Sequence, residues 1–171
     1  DAEFLPYDEN EFDIILSQYG HMFAPRPSIV VKELARVLKP GGILAFSTWP
    51  KELFMGKFFK LIESFSQPLP PEVASPVLWG DMAIIEDRLK DHFDHIEFAR
   101  DTMFAPTMSP SHMLKLFEKN AGPVANLVKA LAHDPIKLNN LRNAALKLIG
   151  NFFSNNFLRQ DFLMTRCVKK I

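Results

Sequence analysis

The sequence predicts an α/β fold built around an open, largely parallel sheet, and three observations predict it. Residues 12–17 (FDIILS) and 43–48 (ILAFST) are short apolar runs, the habit of strands covered on both faces in parallel sheets. Between them Val30, Leu34, Val37 and Leu38 recur at helical spacing, with Lys32, Arg36 and Lys39 on another face. Residues 39–42 (KPGG) then break the helix before the second strand begins. Strand, crossover helix and strand make a βαβ unit, which is right-handed almost without exception.

Each element follows in chain order. The polar cluster Asp8–Glu11 is a turn or loop before FDIILS. HMFAPRPS, residues 21–28, is a Pro-broken loop whose Pro27 suits the first turn of the next helix, where its missing N–H is no loss. Pro40 cannot continue that helix, and Gly41 or Gly42 can take the left-handed conformation that closes it. These glycines follow a helix, whereas phosphate-binding loops precede one, so no phosphate cradle is expected. Phe54, Phe58, Leu61, Ile62 and Phe65 form the stripe of an amphipathic helix, despite Gly56. QPLPPEVASP, residues 67–76, is stiff and extended, a connection or lid. Asp81 caps a helix running to about Phe93, with Met82, Ile85, Leu89 and Phe93 inward and Glu86–Lys90 as a surface pair. HIEFARDTMF, residues 95–104, alternates as a half-exposed strand. Ser109 with Pro110, and Asp134 with Pro135, each open a further helix, the second ended by Gly150. Residues 157–170 close the chain as a strand.

Bulk properties narrow the function. The 171 residues lie in the one-domain range, and 47% apolar with 23% charged residues is ordinary for a globular protein. Net charge is zero, so no basic field exists to hold a phosphate backbone and nucleic acid is not expected as partner. One cysteine rules out an internal disulfide. No apolar run approaches the ~18 residues of a membrane-spanning helix, and no basic-then-apolar leader opens the sequence. A cytoplasmic protein is the expectation. His92 and His95 have ligand-like spacing but no evident third partner, so no metal is expected.

DAEFLPYDENEFDIILSQYGHMF followed by ELARVLKPGGILAF resembles the second half of the class I S-adenosylmethionine-dependent methyltransferase core. The likeness is to the small-molecule branch that includes ubiquinone and menaquinone biosynthesis. It covers residues 1–48 strongly; LWGDMAIIEDRLKDHFDHIEFARDTMF and the last strand continue it more weakly. The resemblance implies a Rossmann-like sheet in which FDIILS, ILAFST, HIEFARDTMF and FLMTRCV are strands four, five, six and seven, ordered 4-5-7-6 with the seventh antiparallel and helices on both faces. Strands one to three, the Gly-rich cofactor turn and the acidic residue ending strand two have no counterpart. The expected organisation is therefore a single partial domain over 1–171, the C-terminal part of the family fold. Within it, 1–50 form the second half of the cofactor-binding core, 51–80 a helix and Pro-rich cap or connection, and 81–171 the C-terminal strands and helices.

The same resemblance implies the site. Asp1 would accept a hydrogen bond from the adenine amino group of S-adenosylmethionine, and the Ala2 N–H would donate to the ring. Ser17 and Gln18 lie at the carboxyl end of the first strand, beside the switch point where open α/β sheets bind ligands, and would meet the cofactor's methionine portion. His21 is suited to be a base if the nucleophile arrives protonated, or a substrate contact; a packing or solvated histidine is the plainer alternative. Tyr19 would position the substrate. The Phe and Met residues of 54–65, with Met103, Phe104 and Met108, are core or an apolar cap over a lipophilic or aromatic acceptor.

Two functions remain open. One is methyl transfer to a small-molecule acceptor by the intact parent protein. The other is a non-catalytic remnant or interaction module. A nicotinamide dehydrogenase ranks below both, since its Gly-rich fingerprint is absent. An uncovered edge on FDIILS would invite pairing with another chain. The 171 residues alone are expected to bind S-adenosylmethionine weakly or not at all and to self-associate.

Overall fold

In the computed structural model, β2 (Leu38–Thr48) organises the sheet. The structure describes residues 1–71 and 73–171; within the Pro-rich stretch, Glu72 lies outside the described residues. On one side β2 pairs in parallel with β1 (Phe12–Gln18), from Ile14 opposite Ile43 to Gln18 opposite Ser47. On the other side β5 (Phe157–Lys169) runs antiparallel, with Ile43 opposite Val168 and Thr48 opposite Leu163. The order is β1-β2-β5-β3, where β3 is Phe93–Pro106. The last long strand thus enters between the second and third, in the expected order and sense.

Two compact units divide the chain. The first comprises 1–51, 69–101 and 162–171; the second comprises 52–68 and 102–161. In the first, α1 (Pro27–Val37) packs on β2 and on α3 (Met82–Leu89). Val30, Leu38, Leu44, Phe46, Ile85 and Leu89 are buried there. Cys167 is buried too; its thiol donates to the Leu44 carbonyl at 3.7 Å, and burial pushes its pKa up to about 12. The second unit holds α2 (Phe54–Phe65), α4 (Pro110–Asn120), α5 (Gly122–Ala130), α6 (Pro135–Gly150) and the two-residue strand β4 (Phe153–Ser154). Phe54, Phe58 and Ile62 meet Leu141, Ala145 and Ile149 in its core, with Met113, Val124, Leu127 and Leu158 around them.

Several local expectations are corrected. No glycine closes α1. Leu38 is already extended, at ψ 137°, while its N–H still reaches the Leu34 carbonyl. The glycines instead shape a bulge: β2 advances from Leu38 to Ile43 while β1 advances only from Phe12 to Ile14. Gly41 adopts φ +75°, open to solvent. Gly42 is needed for close approach, since a Cβ there would lie 2.8 Å from both Leu38 Cγ and the Lys39 carbonyl.

β1 is not covered on both faces. It is an edge strand with a sheet neighbour on one side only among the described residues, and Ile14 and Leu16 are 56% and 77% exposed. α3 ends at Leu89; Phe93 is buried as the first residue of β3, and Met82 is exposed. Lys90 pairs with Asp87 rather than Glu86. α5 was not anticipated as a separate helix, because Gly122 and Pro123 look like a terminator but here start one.

Candidate functional site

The carboxyl end of β1 turns sharply. Tyr19 sits at φ +58°, a left-handed conformation uncommon for an aromatic residue, and its N–H donates to the Ser47 carbonyl at 3.2 Å. The turn sends the Tyr19 ring onto Trp49, with centroids 3.9 Å apart and planes 5° apart, and edge-on to Phe162. Burial raises the Tyr19 phenol, opposed by a hydrogen bond with the Ser47 side chain. A short 3-10 helix, His21–Phe23, follows directly.

His21 is 3% exposed. Its backbone N–H donates to Ser17 Oγ at 3.2 Å, and the same oxygen lies 2.9 Å from His21 Nδ1. When the Ser17 hydroxyl, which accepts from the His21 amide, gives its own proton to Nδ1, the ring hydrogen resides on Nε2. Phe46 and Trp79 both pack edge-to-face with the imidazole at 4.5 Å between centroids. Burial, reinforced by the nearby Arg88 charge, lowers the His21 pKa to about 4. The imidazole is therefore neutral near pH ~7.

Residues 1–8 have no regular structure, yet an ion pair to Arg26, just before α1, and hydrogen bonds to Glu33 and Arg36 of α1 hold them. Glu3 receives Arg26 Nε at 2.8 Å. Glu33 receives Arg36 Nε at 2.8 Å and the Leu5 N–H at 2.9 Å. Arg36 also donates to the carbonyls of Leu5 and Tyr7. The Arg36 hydrogen bond, followed by that of the Leu5 amide, holds the Glu33 carboxyl down at about 2.

These straps place the start of the chain against β1, where a cavity of about 410 Å³ opens. Asp1, Ala2, Ser17 and His21 line it together, with Gly20 and an apolar wall that includes Leu5, Ile14 and Leu16. Gln18 and Tyr19 are not among its lining residues: Gln18 is exposed, and the Tyr19 ring is spent on Trp49. Asp1 Oδ1 accepts the Glu3 N–H at 2.9 Å, which leaves its second oxygen available. Sequence reasoning missed Trp49, Trp79 and Arg88; a tryptophan after each of two apolar stretches was the only signal. Among the described residues no group of three or more His, Cys, Asp or Glu is arranged to hold a metal ion. No helix there is long and apolar enough to cross a membrane.

Comparison with known proteins bears on this geometry. Residues 1–46 match a family described as a methyltransferase domain. An uncharacterised protein of Mycobacterium tuberculosis (strain H37Rv) is 29% identical over 164 residues, covering 95% of this chain and 60% of that protein. The chain thus spans about three-fifths of the length of that curated relative. Among solved structures, a putative methyltransferase from Bacillus halodurans superposes with TM-score 0.55 at 14% identity, covering 100% of this chain and 70% of that one. A SAM-dependent methyltransferase from Thermotoga maritima, a possible histamine N-methyltransferase, gives 0.53 at 18% identity, covering 99% and 61%. The α/β fold of this chain is one that methyltransferase structures share, and its first 46 residues carry a methyltransferase-domain match.

Proposed function

We propose that this chain forms part of a methyltransferase that moves a methyl group from S-adenosylmethionine to a small-molecule acceptor, lipophilic or aromatic in its body. The observation that carries this reading is the convergence of Asp1, Ala2, Ser17 and His21, spread over 21 residues, on one cavity at the carboxyl end of a parallel strand. Its volume falls within the roughly 300–1,000 Å³ usual for small-molecule sites. A carboxylate with one free oxygen at the rim and an apolar wall behind it fit an adenosyl group.

When bound, S-adenosylmethionine supplies a methyl group on a positively charged sulfur, poised for in-line displacement. The chain's own contribution is then orientation and exclusion of water. Asp1 accepts from the adenine amino group, and the Ala2 amide donates to the ring. Ser17 fixes the His21 imidazole through Nδ1. With Nδ1 engaged and its basicity depressed, His21 acts as a hydrogen-bond donor that orients the acceptor rather than as a base. Tyr19, held by Trp49, sets the turn that carries His21.

Amide NMR with S-adenosylhomocysteine tests the reading and tolerates weak affinity. Millimolar ligand is expected to shift Ala2, Ser17 and Gly20, and Asp1→Asn to weaken binding by about tenfold, the loss of one charge-assisted hydrogen bond. Resonances unmoved at millimolar ligand would discard it. The exposed edge of β1 favours the second reading, a module that pairs with another chain.

A further inference from the structure

Arg88 is an anomaly in the first unit. It is half-buried, its Nη1 is closed off from solvent, and neither Nη1 nor any other guanidinium atom is joined to a carboxylate among the described residues. Its visible partner is the face of Trp79, 4.5 Å from the guanidinium carbon. Burial lowers its pKa, yet a guanidinium stays charged at any ordinary pH. Buried charges without a counter-charge are costly, so they are normally paired.

Two neighbours share the same condition. Trp79 Nε1 and His21 Nε2 are also buried and unpartnered. The three side chains form one cluster: Trp79 touches His21 on one side and Arg88 on the other, and Arg88 is near enough to depress the His21 pKa. Arg88 Nη1 and Trp79 Nε1 are donors, and His21 Nε2 is one in the tautomer whose Nδ1 accepts from the Ser17 hydroxyl. Three orphan donors in one place describe a site for acceptor oxygens. The charges are one cation, one neutral imidazole and one neutral indole, which balances a single negative charge and leaves a phosphate dianion half-neutralised.

We propose that Arg88, Trp79 and His21 bind a carboxylate, and that the methyl acceptor is an aromatic carboxylic acid. The carboxylate takes hydrogen bonds from Arg88 Nη1, Trp79 Nε1 and His21 Nε2. His21 joins this subsite to the cavity, because its other ring nitrogen is held by Ser17 on the cavity wall. Naming the ligand as the acceptor rests on the function proposed above; the carboxylate subsite itself does not.

Benzoate is the probe and benzamide, its uncharged isostere, the control, both titrated without S-adenosylmethionine. The indole N–H resonance of Trp79, one of two tryptophans and distinguished by Trp49→Phe, is expected to move with benzoate and not with benzamide. Arg88→Met is expected to weaken benzoate binding by roughly 10- to 100-fold, and Arg88→Lys by less. Equal responses to benzoate and benzamide, or a Trp79 indole unmoved by millimolar benzoate, overturn the proposal. The wild-type titration decides even if Arg88→Met fails to fold. Benzoate binding without S-adenosylhomocysteine binding would retain the subsite and remove the methyl-transfer reading; the reverse outcome would do the opposite.

Discussion

His21 shows how one buried ring couples chemistry to stability. Its folded pKa of about 4 lies below the ordinary value of 6.5, so the unfolded chain takes up the proton first as pH falls. Stability is therefore complete above about pH 6.5 and is lost as pH drops toward about 4, by about 3 kcal/mol in all. Urea midpoints measured across this window are expected to fall more steeply for the wild type than for His21→Gln; equal slopes would remove His21 from the account. Among the glycines whose surroundings are described, Gly80 has the least room for a side chain. A Cβ there would sit 2.0 Å from the Trp49 carbonyl oxygen and 2.7 Å from Pro50 Cα, both backbone atoms. Gly80→Ala is expected to cost about 3 kcal/mol in denaturant unfolding, more than Gly41→Asn, whose surroundings are open.

Among the elements, the strapped N-terminal segment matters most to the cavity. Arg36 holds three groups of that segment's neighbourhood, Glu33 and the carbonyls of Leu5 and Tyr7. Arg36→Met is expected to free residues 1–8, seen as faster chymotryptic cleavage after Phe4 and Tyr7 with little change in the far-ultraviolet spectrum. An unchanged cleavage rate would mean that packing alone retains the segment. The sequence disclosed which segments were elements more readily than their limits. Ser109, Asp134 and Asp81 side chains accept helical N–H groups as their residue types suggest. The Pro-Gly-Gly joint was read as a helix stop because a composition cue cannot tell a C-cap from a bulge in the next strand. Trp79 and Arg88 were illegible for another reason: they come together with His21 only through the short 3-10 helix Pro76–Gly80 and α3, distant in sequence.

At the scale of the molecule, charge is balanced, and ion pairs exposed on both sides, such as Lys39–Asp13 and Lys90–Asp87, add little to stability. The open strand β1 is the larger influence on behaviour in solution. Sedimentation of the 171-residue chain is expected to show concentration-dependent association that Leu16→Lys reduces, because a charge on an exposed edge opposes strand pairing. A monomer at all concentrations would mean that the edge is inert. The strand order was legible because local patterns located four strands and a resemblance ordered them; the exposure of Ile14 and Leu16 on β1 was not, since an apolar run looks alike whether one face or both are covered.

β5 lies between β2 and β3, although it is made after both. During synthesis on the ribosome, the first unit cannot assemble its sheet until this late segment emerges. The helices of the second unit, all made earlier, are free to fold before then. Biogenesis therefore leaves β2 and β3 awaiting their shared neighbour, a period in which chaperone engagement has most to protect.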